Sequence, residues 1–279
     1  MSRSRNQRRL NHIALCASLV LVTVLFGVRA AYAHWVYCAL VAVQLATLSL
    51  TAWKLGLRMV KSQMVEQKVL AVSGGLLLAP WLFFSLLPGY GRPDEATHVE
   101  NQFRYLILFI NAIAVGGGMV MLRQTLADAG DRFYSTIGFA CISIATPLYL
   151  VWAAILIQFH RVLNSAIPAG ATDWIRATAD FSDILLFFSG VLTYFATAAY
   201  SRALSKTKLI GNNASGVILV VSLVAVVLLT ARGLQFPDPA VVFEHWYKIP
   251  GWIAGIPAVP WIMPCCIGVS LLKRAGNLS

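Results

Sequence analysis

Long apolar runs separated by short polar breaks dominate the chain. A run of 18 or more apolar residues is a candidate for crossing a bilayer, because about 20 residues of helix cover about 30 Å of hydrocarbon. The runs are longer than the roughly ten residues of a barrel strand and do not alternate, which favours helices. The pattern predicts eight membrane-spanning helices near residues 12–30, 35–57, 68–88, 105–122, 134–157, 181–201, 215–232 and 250–272.

The composition agrees with an all-α integral membrane protein. Of the 279 residues, 58% are hydrophobic and only 12% are charged, whereas about a quarter of a soluble domain is charged. The polar breaks leave no room for a separate soluble domain, so residues 1–279 are predicted to form one membrane domain. A net charge of +11 could indicate nucleic acid in a soluble protein. Here the charges lie between the spans, and we expect a lipid bilayer as the partner and no nucleic acid.

The distribution of charge predicts the orientation. If the N-terminus is cytoplasmic, fifteen of the 22 lysines and arginines fall on the cytoplasmic side, with only three of the 11 acidic residues. Cytoplasmic segments of membrane proteins carry an excess of Lys and Arg. The bias therefore predicts a multi-pass protein of the cell membrane (inner or plasma membrane) with a cytoplasmic N-terminus and C-terminus.

The first span has a second interpretation. Four arginines precede an apolar stretch, and Ala31-Tyr32-Ala33 resembles a signal-peptide cleavage site. Cleavage there would leave seven helices and would not alter the topology of the rest. We favour a retained first helix, because Arg29 lies close to the site and the apolar stretch is long for a signal peptide.

The cysteines indicate neither a disulfide framework nor a metal site. All five fall within predicted spans, and the adjacent Cys265 and Cys266 do not form a C-x-x-C motif. We interpret them as small apolar residues of the helix interfaces. The sequence contains no Walker or Rossmann fingerprint, and we predict no bound metal or other cofactor.

Two predicted outer loops share one pattern. Residues 93–104 and residues 237–248 both read P-D-x-A-x-x-x-E-x-x-[FY]-[RK]. Such a repeat is typical of some transporters and predicts two four-helix halves, about 1–130 and 131–279. Coincidence is the alternative, because Pro-Asp begins turns and Glu100 with Arg104 has the spacing of an i,i+4 ion pair.

The predicted outer face also gathers carboxylates and histidines into a candidate polar site. Asp180 and Asp183 lie three residues apart at the start of the sixth span, where carboxylates also offset the helix dipole. Histidine with carboxylates suits Zn²⁺, but no standard ligand spacing is present and the nearby His side chains are adequately explained as solvated loop residues. The candidate site residues are Asp94, Glu95, His98, Glu100, Asp180, Asp183, Asp238, Glu244 and His245.

Three functions fit these features. The first is a transporter-like protein for a small solute or ion, in which the candidate residues line an outer vestibule that leads to a cavity between the third, fourth, sixth and eighth helices. The second is a membrane-embedded enzyme that acts on a lipid or lipid-linked substrate, with a carboxylate and His98 as acid and base. The third is a structural or sensory subunit without a substrate site.

Overall fold

A computed structural model describes residues 2–163, 172–232 and 257–278. All regular structure in these ranges is helical, and they contain no strand. Two short 3₁₀ helices, Leu57–Lys61 and Val259–Trp261, precede the third and the eighth α-helix. The α-helices are α1 Ser2–Gly27, α2 His34–Leu55, α3 Val65–Phe84, α4 His98–Asp128, α5 Phe133–Leu163, α6 Thr172–Lys206, α7 Asn212–Arg232 and α8 Ile262–Asn277.

The structure confirms a helical bundle compatible with a membrane. Within the described residues, seven helices, α1 to α7, are long and apolar enough to cross a bilayer. The eighth predicted span, residues 250–272, starts outside the described ranges, and α8 has 16 residues. Proline explains why α8 starts at Ile262, because Pro257 and Pro260 lack the N–H that a helix interior needs. Pro257 precedes the 3₁₀ turn Val259–Trp261, and Pro260 lies within it. Eight membrane crossings therefore stay a prediction.

Several helices extend past the predicted spans. The fourth span was predicted at 105–122, and α4 covers His98–Asp128. Hydropathy marks only the turns that lie in hydrocarbon, whereas α4 begins at a polar cap and continues beyond the apolar run. The extra turns place polar side chains on helices rather than in loops.

Helices that are neighbours in sequence pack side by side from α3 to α7, and α8 returns to pack against α3. α1 and α2 pack on each other and touch α3 at the edge of this arrangement. In α6, 72% of the apolar window is buried within the protein, against 17% in α1 and in α2. The exposed apolar surface of α1 and α2 is compatible with a surrounding of lipid.

The bundle has two distinct ends. We call the end with the α1–α2 and α3–α4 connections the loop end, where Arg29 and Tyr90 form an isolated backbone bridge. We call the other end, with the α2–α3, α4–α5 and α6–α7 connections, the basic end. There Lys206 of α6 lies 3.3 Å from the buried carboxylate of Asp131 in the α4–α5 connection.

Glycines allow the backbone of α8 to contact the backbones of α2 and α3 directly. A Cβ atom added at Gly268 would lie 2.9 Å from the carbonyl oxygen of Gly74 in α3, and one at Gly276 would overlap the carbonyl oxygen of Leu55 in α2. Small residues at helix interfaces are how membrane helices gain close packing. The position of α8 therefore depends on these glycines.

We expect Gly268→Ala to lower the free energy of unfolding by about 1–3 kcal/mol, because the added methyl group overpacks a backbone contact. Gly216→Ala in α7 is the matched control, since no atom lies within 4 Å of its added Cβ. Alanine is the better helix former by up to about 1 kcal/mol, so the control is expected to be neutral or stabilising. Thermal unfolding of both purified variants in detergent tests this, and equal stability of the two would contradict the α3–α8 packing.

Candidate functional site

The connection between α3 and α4, residues 85–97, is held against the end of α1 by backbone hydrogen bonds. The amide of Gly89 donates to Leu25 O over 2.8 Å, and the amide of Ala30 donates to Gly89 O over 3.1 Å. Gly89 and Gly91 have positive φ angles of 83° and 62°, which glycine adopts without strain. These contacts fix the loop above the start of α4.

α4 begins with a capping box. The Thr97 side chain accepts a hydrogen bond from the amide of Glu100, and the Glu100 carboxylate accepts one from the amide of Thr97 over 2.7 Å. The other carboxylate oxygen of Glu100 lies 3.0 Å from Nη1 of Arg29. The side chains of Arg29 and Glu100 are 38% and 27% exposed, respectively. The close ion pair of Glu100 is therefore with Arg29 of the α1–α2 connection, and Arg104 at the i,i+4 spacing interacts with Glu100 over a longer distance.

The other candidate residues of this loop face outward. Asp94, Glu95 and His98 are exposed. Glu95 closes its own turn, because its Oε2 accepts from the amide of Arg92 over 3.4 Å. The Pro-Asp motif thus supplies turn and cap contacts here.

The remaining candidate residues are only partly described. Asp183 is half-buried on α6 and lies close to Tyr105 of α4. Asp180 lies on α6, and its side chain is outside the described part of the structure. Asp238, Glu244 and His245 also lie outside the described residues. The vestibule of nine residues and the internal repeat stay predictions.

Arg104 is a buried polar residue of this region that is not among the candidate residues taken from the sequence. It is only 3% exposed, although an arginine two turns from a helix end could extend to water. Its Nη2 donates to Gly91 O over 2.9 Å and to Tyr90 O over 3.3 Å. Its guanidinium also lies 5.7 Å from the ring centre of Phe26 and 6.0 Å from that of Tyr90, within the range of cation–π attraction.

Arg104 belongs to a row of buried polar residues that we call the α4 polar stripe: Asn101, Arg104 and Asn111. The steps of three and seven residues place all three on one face of the helix. They are 2%, 3% and 0% exposed, respectively. Seven-residue spacing of Arg104 and Asn111 is the signal in the sequence that could have indicated this face.

The α4 polar stripe carries unused hydrogen-bonding capacity. Asn101 donates to Pro93 O over 2.8 Å, but its Oδ1 has no partner in the described structure. The same holds for Nε and Nη1 of Arg104 and for both amide atoms of Asn111. A buried polar atom without a hydrogen-bond partner costs about 1–3 kcal/mol. Three such residues on one helix face therefore lower the stability of a packed bundle.

Two tyrosines extend the polar surroundings of Arg104. The Tyr90 hydroxyl lies near the Tyr37 hydroxyl, which donates to Leu86 O. Burial raises the pKa of Tyr90 to about 12, and its hydroxyl therefore stays neutral at physiological pH. The charges near these rings are those of Arg104, Glu100 and Arg29.

The arrangement suits an anion rather than a metal ion. Guanidinium N–H groups bind carboxylate and phosphate oxygens strongly. Among the described residues, no group of three or more His, Cys, Asp or Glu side chains could hold a metal ion.

A search of protein families, of curated proteins and of solved structures found no match to this chain.

We expect Glu100→Ala to destabilise the protein by about 1–2 kcal/mol, because it removes the capping box and the contact with Arg29. Glu95→Ala makes the same change of charge five positions earlier, in the connection before α4, and should stay within about 0.5 kcal/mol of wild type. Thermal unfolding in detergent measures both. Similar losses for the two variants would mean that Glu100 does not anchor the loop.

Proposed function

We propose that the protein is a transporter-like membrane protein that binds a small anionic solute at the α4 polar stripe. The observation that carries the proposal is the buried guanidinium of Arg104, whose Nε and Nη1 have no partner in the described structure. An ionisable group buried in a membrane bundle is expensive and is most often functional. A solute carboxylate or phosphate would supply the missing acceptors.

The next polar group along the stripe continues the same path. Asn111 lies seven residues, or about 10 Å, deeper along α4 than Arg104. Its amide supplies a donor and an acceptor to a solute that moves from the loop end toward the middle of the bundle. The exposed Asp94, Glu95 and His98 would form part of the entrance, as the first of the three sequence-based functions requires.

Binding of anions to the purified protein tests the proposal. Thermal unfolding is measured with acetate, succinate, phosphate and sulfate at matched ionic strength. A ligand present at a hundredfold excess over its Kd stabilises a protein by about 2.7 kcal/mol. We expect at least one of these anions to raise the Tm of the wild type, and Arg104→Gln to abolish that rise.

Arg92→Gln is the matched control, because Arg92 lies in the same loop and is exposed. It should keep the response to the anion. Arg104→Lys keeps a positive charge and separates loss of binding from loss of folding, since it should retain part of the response. If no anion raises the Tm of the wild type, or if Arg104→Gln responds as the wild type does, the proposal fails and the structural or sensory function gains support.

We also propose that the basic end faces the cytoplasm and that α8 belongs to the eighth crossing, in the cell membrane. The excess of Lys and Arg at that end supports this orientation. In a variant with all five native cysteines replaced, a membrane-impermeant maleimide added to intact cells should label Glu95→Cys and spare Lys208→Cys. Both residues are exposed and lie in connections between helices. Labelling of Lys208→Cys but not of Glu95→Cys would show the opposite orientation.

A further inference from the structure

A groove runs between α1 and α8. Both helices pack on α3, and the space between them has a volume of about 460 Å³. Its walls are formed mainly by apolar side chains, including Leu19, Val20 and Val24 of α1 and Ile262 and Val269 of α8. A cleft of this size lies within the range of ligand sites.

The dimensions of the groove match one leaflet of a bilayer. Along α1 it extends from His12 to Val24, which at 1.5 Å per residue is about 18 Å. Half of the hydrocarbon thickness is about 15 Å. An acyl chain that enters at the end of the bundle would therefore fill the groove over its length.

The groove continues into a polar cavity at the basic end. This cavity has a volume of about 650 Å³ and shares His12 and Ser270 with the groove. Lys273 and Arg274 of α8 line it, and Nε of Arg274 has no hydrogen-bond partner in the described structure. No carboxylate is among the described residues that line the groove or the cavity.

The start of α7 adds to the positive character of the cavity. Asn212 and Asn213 of the first turn line it, and the first turn of α7 contains no acidic residue. The free amides of a first helical turn attract anions. With two side-chain cations on α8, they surround a space that favours a negatively charged group.

A second basic cavity adjoins the first. It is lined by Arg202, Lys206 and Lys208 and shares Gly211 and Asn212 with the first cavity. Lys208 adopts a positive φ of 58°, a conformation that is uncommon for residues other than glycine. Lys208 thus occupies a position in the α6–α7 connection that glycine would adopt without strain. The Lys208 side chain adds a further positive charge beside the first cavity.

We propose that this groove and cavity bind an anionic phospholipid from the leaflet at the basic end. One acyl chain lies between α1 and α8, and the phosphate group lies between Lys273, Arg274 and the start of α7. Charge complementarity identifies the occupant, because basic pockets between membrane helices bind acidic headgroups. The apolar continuation of the cavity distinguishes a phospholipid from free phosphate.

Lipid adducts of the purified protein test the headgroup half of the site. Native mass spectrometry compares dioleoyl-phosphatidylglycerol with dioleoyl-phosphatidylcholine, which has the same acyl chains and no net charge. We expect phosphatidylglycerol to bind at least tenfold more tightly. The double variant Lys273→Gln/Arg274→Gln should lose about tenfold of that affinity, since each cation near an acidic headgroup contributes measurably.

The control for this variant is Lys54→Gln/Arg58→Gln. It removes the same two charges from the basic end at exposed positions that do not line the groove or the cavity. It should leave the affinity for phosphatidylglycerol unchanged. If the double variant on α8 does not fold, Lys273→Gln alone tests the same contact, because Lys273 is exposed.

The acyl half of the site is tested by filling the groove. Val20→Trp places a large ring in it and should reduce binding of phosphatidylglycerol at least fivefold. Leu21→Trp is the matched control, because Leu21 is 50% exposed and does not line the groove.

Three results would overturn the proposal. Equal binding of the two lipids would exclude headgroup recognition. Equal losses in the two double variants would show a general effect of charge, and unchanged binding to Val20→Trp would place the acyl chain elsewhere. None of these results bears on Arg104, which lies at the other end of the bundle, so the two proposals can fail separately.

Discussion

Inside a bilayer a polar group finds a hydrogen-bond partner only within the protein, and this constraint organises the whole chain. Helices satisfy the backbone, and several buried hydroxyls donate to a carbonyl of their own helix. Thr193 and Thr197 of α6, for example, each donate over 2.7 Å to the carbonyl four residues earlier. The α4 polar stripe departs from this rule, because Arg104 and Asn111 keep atoms without partners. The departure is what makes the stripe a candidate site.

Packing of α8 connects the two ends of the molecule. Its glycine contacts with α2 and α3 bring α8 into the bundle at backbone distance, while α1 stays at the edge. That difference leaves the groove between α1 and α8 open. The same α8 carries Lys273 and Arg274 next to the start of α7, so one packing choice creates both the apolar and the basic part of the proposed lipid site.

The helices and their apolar character could be predicted from the sequence, because length and hydropathy are local properties of each span. The partners of the charged residues could not be predicted from the sequence. Glu100 has Arg104 at the local i,i+4 spacing, yet it pairs with Arg29, which is 71 residues away. The α3–α4 connection turns back over the end of α1, and only that long-range contact brings Arg29 into reach. Arg104 then turns inward to the carbonyl groups of the same connection.

The sequence by itself determined a multi-helix membrane bundle, since apolar runs of this length have no other stable environment than lipid. It also determined which residues are charged and the turn and cap chemistry near residues 93–100. The tertiary structure decided which of these charges are buried. Burial depends on the direction in which a helix face points and on what packs against it, and neither follows from the spacing within one helix. For that reason Asp94 and Glu95, which the sequence favoured, are exposed, whereas Arg104 is buried among the loop carbonyls and aromatic rings.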